Sequence, residues 1–193
     1  MVRQGRRDLT AYDHVTALVS FVYALALTHL LSRIGALVLR RERVRFSSLQ
    51  SLAMMNAVIQ VLLSWLYLWD TRTTASLGLV TIVIGFVYAI SVYFICVAAA
   101  PDGLDGVVDL EAFYWRNRRV YYGVYALSTA LTLISVWTPD RRLAFQAELA
   151  TLPFFGPCLL AIALPSRWAQ WVAGVGLFAI SVGWLILFSR ALH

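Results

Sequence analysis

The chain contains no lysine. Its formal net charge of +6 rests on sixteen basic residues, every one an arginine. Without a lysine amine there is no Schiff base with retinal or pyridoxal phosphate, no P-loop lysine and no lysine general base. Cysteine is almost as scarce. Cys96 and Cys158 both fall inside apolar runs, which argues against a disulfide framework, and no CxxC or Cys/His metal-ligand spacing exists. Both read as small buried hydrophobes. Charge is sparse too, at 13% of residues against 61% hydrophobic, where soluble domains run nearer ~25% charged and ~45–50% apolar. One small core cannot hide that much apolar surface from water, so the chain belongs in a bilayer.

The recognisable catalytic signatures are also missing. There is no GxSxG, no HExxH and no cysteine beside a candidate base, so no catalytic residue, metal or cofactor is assigned and a non-enzyme is expected. Bis-histidine haem ligation needs two membrane-embedded histidines. His14 lies at an interface and His193 at the terminus, which leaves His29, and only two copies of it across a dimer would suffice. The arginines gather at the ends of apolar runs, where anionic headgroups are the expected contact and nucleic acid is not.

What is present is a series of apolar runs. The fold class expected is all-α, a single transmembrane bundle of about six spans near residues 14–39, 48–69, 76–100, 118–137, 142–164 and 168–190. Each is about 20 residues or more, enough to cross ~30 Å of hydrocarbon. The runs are continuous, whereas barrel strands alternate over about ten residues. Thr28-His29 and Arg33 interrupt the first run, which is also longer than a signal-peptide core, so it is expected to stay in the mature chain. Ser47 or Ser48 would cap the second helix. Trp65, Tyr67 and Trp69 read as an interfacial belt.

Six spans put both termini on one side. Arg3, Arg6, Arg7, Arg72, Arg141, Arg142 and Arg190 then oppose Arg40, Arg41, Arg43, Arg45, Arg116, Arg118, Arg119 and Arg167. Seven against eight gives no positive-inside signal. The denser Arg40–Arg45 and Arg116–Arg119 groups favour that side as cytoplasmic.

The loop Asp102 to Glu111 holds four carboxylates. An alcohol phosphotransferase of the lipid-synthesis type needs an Ala-Arg and a second Asp pair that do not follow, and the D-x-D-x-D-G core of an EF-hand is lacking. The loop reads instead as a Gly-rich turn with Asp109 as N-cap and Glu111 in the first turn of a helix. Beyond it, Phe113-Tyr114-Trp115-Arg116-Asn117-Arg118-Arg119-Val120-Tyr121-Tyr122 interleaves aromatics with arginines. An interfacial helix near 109–117 is expected to bend into the fourth span. Arg116, Asn117, Arg118, Arg119 and Tyr122 are the candidate contacts for an anionic lipid or phosphorylated ligand.

The Leu27-Thr28-His29-Leu30-Leu31-Ser32-Arg33-Ile34-Gly35 run, the Arg43-Val44-Arg45 turn and the Tyr114-x-x-Asn117-Arg118-Arg119-x-Tyr121-Tyr122-Gly123 run resemble an uncharacterised family of small multi-pass bacterial inner-membrane proteins. The resemblance covers roughly the first two-thirds of the chain. It implies residence in a bacterial inner membrane and brings no activity, cofactor or catalytic residue.

Depth gives the sharpest pattern. His29 falls mid-way along the first span, and Asn56 and Gln60, four apart and on one face, lie in the middle of the second. Tyr88 is central in the third span, and Ser128, Thr129 and Thr132 in the fourth. Polar groups at one level on several helices converge where transporters bind substrate. Arg33 lies a turn from His29, Glu148 sits on the fifth span, and Pro153 with Gly156-Pro157 breaks that span. Such groups also serve as helix glue. In the last span Ala173, Gly174, Gly176, Ser181 and Gly183 read as a close-packing face, within the chain or in a homo-oligomer. Two functions follow as expectations, with an intramembrane lipid-modifying enzyme that would use Asp105, Asp109 or Glu111 as a third. The first is small-solute or ion transport or binding through a polar midplane cavity of His29, Arg33, Asn56, Gln60, Tyr88 and Glu148. The alternative is a non-catalytic membrane subunit or scaffold that binds a partner protein or anionic lipid through residues 113–122.

Overall fold

Most of the described chain is helical. A computed structural model describes residues 11–70, 78–102, 106–135 and 151–191. The helices are α1 (Ala11–Leu39), α2 (Ser48–Asp70), α3 (Leu79–Ala99), α4 (Leu110–Ser135), α5 (Phe155–Ala163) and α6 (Arg167–Ala191). Four stretches, Asp13–Leu39, Ser48–Leu68, Leu79–Ala99 and Arg167–Leu187, are long and apolar enough to cross a membrane. The shortest of them have 21 residues, about 31 Å at 1.5 Å per residue, which matches the hydrocarbon thickness. The protein is an all-α helical bundle of a membrane-spanning kind.

The fourth expected span takes a different form, and the fifth is described only in part. The interfacial segment and the fourth span are one unbroken helix, α4, of 26 residues. Leu110, Tyr114, Arg118, Tyr121, Tyr122 and Tyr125 are all buried, so one face of α4 stays on the bundle from its first turn and nothing drives a bend. Of the fifth span, the described part is a 3-10 turn at Leu152–Phe154 followed by the nine-residue α5. Pro153 sits in that turn and Pro157 in the first turn of α5, where a missing N–H does no harm.

α3 packs against α1, α2 and α4, α2 packs on α6, and α5 lies against α4 and α6. Small residues let these helices close: Ala26, Ala57, Ala89, Ala161 and Ala173 are fully buried. At Gly174 an added Cβ would stand 2.7 Å from Leu52 Cδ2, and at Gly176 it would meet Pro157 Cγ at 3.4 Å. Gly174 and Gly176 of that face therefore pack inside the chain, on α2 and α5, whereas at Gly183 an added Cβ would meet nothing within 4 Å.

At one end of the bundle, two-residue strands β1 (Val44–Arg45) and β2 (Val108–Asp109) pair in parallel, Val44 with Val108 and Arg45 with Asp109. Gly106 enters β2 at φ 79°, a left-handed conformation that suits glycine. Local caps follow the sequence. Ser47 Oγ accepts the Gln50 N–H at 3.5 Å, and Asp109 Oδ1 accepts the Ala112 N–H at 2.9 Å. That amide, with Arg45 beside it, holds the Asp109 carboxyl below its ordinary range.

Candidate functional site

The midplane residues of α2 meet partners from three other helices. The Gln60 amide donates to the Tyr88 hydroxyl of α3 at 3.1 Å, while its carbonyl oxygen accepts from the Tyr125 hydroxyl of α4 at 2.8 Å. Ser64, one turn on, donates to the Gln60 backbone carbonyl at 2.7 Å and lies 3.0 Å from the Tyr88 hydroxyl. Asn56, with no exposed surface, donates to the Gly174 carbonyl of α6 at 3.0 Å. Its Oδ1 is enclosed and has no partner among the described residues. Tyr121 adds a bond from α4 to the Ala53 carbonyl of α2 at 3.0 Å.

The structure thus brings Gln60 and Tyr88 together and sets Asn56 on the same helix toward α6. His29 and Arg33 lie elsewhere. The His29 ring faces Tyr93 across the α1–α3 contact, with centroids 6.1 Å apart, and its Nε2 is enclosed without a hydrogen-bond partner among the described residues. Arg33 is at the rim, donating to the Asp102 carbonyl at 2.5 Å with the Asp102 carboxylate 3.8 Å away. Glu148 lies outside the described residues. The central cluster therefore consists of neutral amides and hydroxyls that mostly satisfy one another.

The arginine-bearing end is organised differently. The ends of α1, α3 and α5 meet the starts of α2, α4 and α6 there. Arg45 reaches Asp109 at 3.4 Å, and Arg167 reaches Glu111 at 2.6 Å. With Arg33–Asp102, these pairs engage Asp102, Asp109 and Glu111. Arg41, Arg43, Arg116 and Arg119 remain exposed. Arg118 is buried instead, donating to the Ala161 carbonyl at 2.5 Å with the Trp115 ring 5.6 Å from its guanidinium carbon. Asn117 is half-buried, and Tyr122 is buried with its hydroxyl 3.3 Å from that of Tyr114.

Sequence reasoning missed a second layer of polar contacts beneath this end. Tyr114 donates to Gln170 Oε1 at 2.8 Å, and the Gln170 amide donates to the carbonyls of Ala161 at 2.9 Å and Leu164 at 2.6 Å. Gln50 caps the Ala99 carbonyl of α3 in the same manner. Two helix C-termini thus have their free carbonyls satisfied by buried side chains from other helices. The recurrence of tyrosine at 114, 121, 122 and 125 marks one helical face and was the available signal.

Among the described residues no group of three His, Cys, Asp or Glu side chains is placed to hold a metal. No known protein family, curated protein or solved structure matches the chain.

Proposed function

We propose that the protein is a non-catalytic membrane subunit, of a bacterial inner membrane, that holds an acidic partner protein against its arginine-bearing end. The observation that carries this reading is the division of charge at that end. Asp102, Asp109 and Glu111 are engaged by Arg33, Arg45 and Arg167, while Arg41, Arg43, Arg116 and Arg119 are exposed and outnumber the exposed Glu42 that lies between Arg41 and Arg43. Large apolar side chains stand among them: Leu39 is 87% exposed, and Phe46 and Val107 72% each, beside the paired strands. Arginine with exposed aromatic and aliphatic anchors is the composition of protein interfaces.

The bundle interior supports the same reading, because Gln60, Ser64, Tyr88 and Tyr125 bond to each other across helices as packing glue does. Gln substitutions at Arg41, Arg43, Arg116 and Arg119 are expected to abolish recovery of an acidic partner while leaving helix content and monodispersity unchanged. Recovery unaffected by all four would refute the reading.

A second reading, a small-solute or ion site at the midplane, rests on the enclosed and unpartnered Asn56 Oδ1. It predicts loss of flux in reconstituted vesicles on Asn56→Ala with the partner complex intact.

A further inference from the structure

The four arginines whose contacts are resolved at the charged end follow an inverted rule. Arg33, Arg45 and Arg167 keep 33%, 77% and 69% of their side-chain surface, and each has a carboxylate. Arg118 is only 7% exposed, and among the described residues no carboxylate lies within ion-pair reach of it. Of these four, the most enclosed is the one with no carboxylate partner among the described residues.

Its compensation is partial. A guanidinium carries five N–H donors. Among the described residues the single hydrogen bond that Arg118 makes is to the Ala161 carbonyl. That carbonyl belongs to the last turns of α5, whose C-terminus carries a partial negative charge of about half a unit. Trp115, three residues earlier, presents its ring face. Neither is a counter-anion, and a charge mostly removed from water is stabilised best when paired and hydrogen-bonded.

The surrounding groups do not use the remaining donors. Gln170 gives its amide to Ala161 and Leu164 and takes its bond from Tyr114. These contacts fix the wall around the guanidinium. The remaining Arg118 nitrogens are not among the enclosed unpartnered atoms, so they keep a narrow opening to the surface of a side chain that is otherwise buried. Arg118 stands eight residues into α4, about 12 Å from its start, next to the last turns of α5.

We infer that Arg118 is a binding site for one phosphate group, gripped by its free N–H pair and screened on one side by Trp115. A planar guanidinium matches two phosphate oxygens bidentately. The phosphate comes either from an anionic phospholipid headgroup or from free phosphate. The site shares the cationic end of the proposed subunit but does not require a protein partner.

The test uses the full chain, delipidated in mild detergent and titrated separately with phosphatidylglycerol and with inorganic phosphate, read by native mass spectrometry and by thermal shift. The expected result is one saturable adduct per chain, weakened about tenfold or more by Arg118→Gln and little by Arg116→Gln or Arg119→Gln. Saturation by phosphatidylglycerol alone assigns the lipid headgroup, and equal competition by phosphate assigns the free anion. Absence of a saturable adduct with either probe overturns the inference, as does unchanged affinity in Arg118→Gln. If Arg118→Gln fails to fold, Arg118→Lys decides. It keeps the charge but not the fork, so weakened binding supports the site and unchanged binding overturns it. Loss of the Arg118 adduct with partner recovery intact separates this site from the subunit reading.

Discussion

The hydroxyl of Tyr125 donates to the Gln60 side-chain oxygen at 2.8 Å and so joins α4 to α2 in the middle of the bundle. Both side chains are buried, and the bond is matched on the other side of the same amide by Tyr88. A carboxamide between two tyrosines uses a donor and an acceptor at once. That fixes the relative rotation of three helices without placing any ionised group at their centre.

Tyr125→Phe removes the donor and leaves the Gln60 oxygen unpaired. We expect a loss of about 1 kcal/mol, in line with interhelical hydrogen bonds in membranes, measured as the unfolding midpoint in mixed micelles. Partner recovery is expected to be unchanged.

Gly174→Ala brings a methyl group against Leu52, where an added Cβ stands 2.7 Å from Cδ2. The expected destabilisation is about 1–2 kcal/mol. Leu52→Val in the same chain should recover most of it, and a double-mutant cycle reads the coupling directly.

Acid should loosen the start of α4. The Asp109 carboxyl is held below its ordinary range first by the Ala112 N–H and then by Arg45. Its folded value thus lies below the unfolded ~3.9. The contribution is fully present above that unfolded value and is lost as pH falls through the lower folded one. The protection factor of the Ala112 amide, its exchange rate relative to the intrinsic rate at the same pH, should fall in that window, and Asp109→Asn should weaken the pH dependence.

The Arg167–Glu111 pair is short at 2.6 Å, yet its side chains are 69% and 40% exposed. Glu111→Gln is therefore expected to change stability by less than about 1 kcal/mol, and by less still at high salt. The unfolding midpoint at two ionic strengths checks this.

The sequence made some of this structure legible and hid the rest for definite reasons. Helix starts at Ser47 and Asp109 were readable because capping is a local rule that links a side chain to an amide three residues on. Gln60 and Tyr88 were readable because depth along a span follows from residue count alone. Rotation about the helix axis was not. A span that is apolar on every side offers no stripe to say which face meets protein and which meets lipid. His29 shared the depth of Gln60 and yet faces Tyr93. Arg118 looked like its neighbours Arg116 and Arg119, and its burial depended on α4 running unbroken from Leu110. Gln50 and Gln170 cap helices distant from their own positions in the chain, a relationship that only the packed bundle creates.

The most direct test of the subunit reading is site-specific photo-crosslinking in native membranes. The probe replaces Arg116 on the charged end, with Phe94, 51% exposed on α3, as the lipid-facing control. The account predicts one discrete protein adduct from position 116, with an acidic surface, that disappears when Arg41, Arg43 and Arg119 are changed to Gln. Lipid adducts alone at both positions, or a protein adduct indifferent to those arginines, would contradict it.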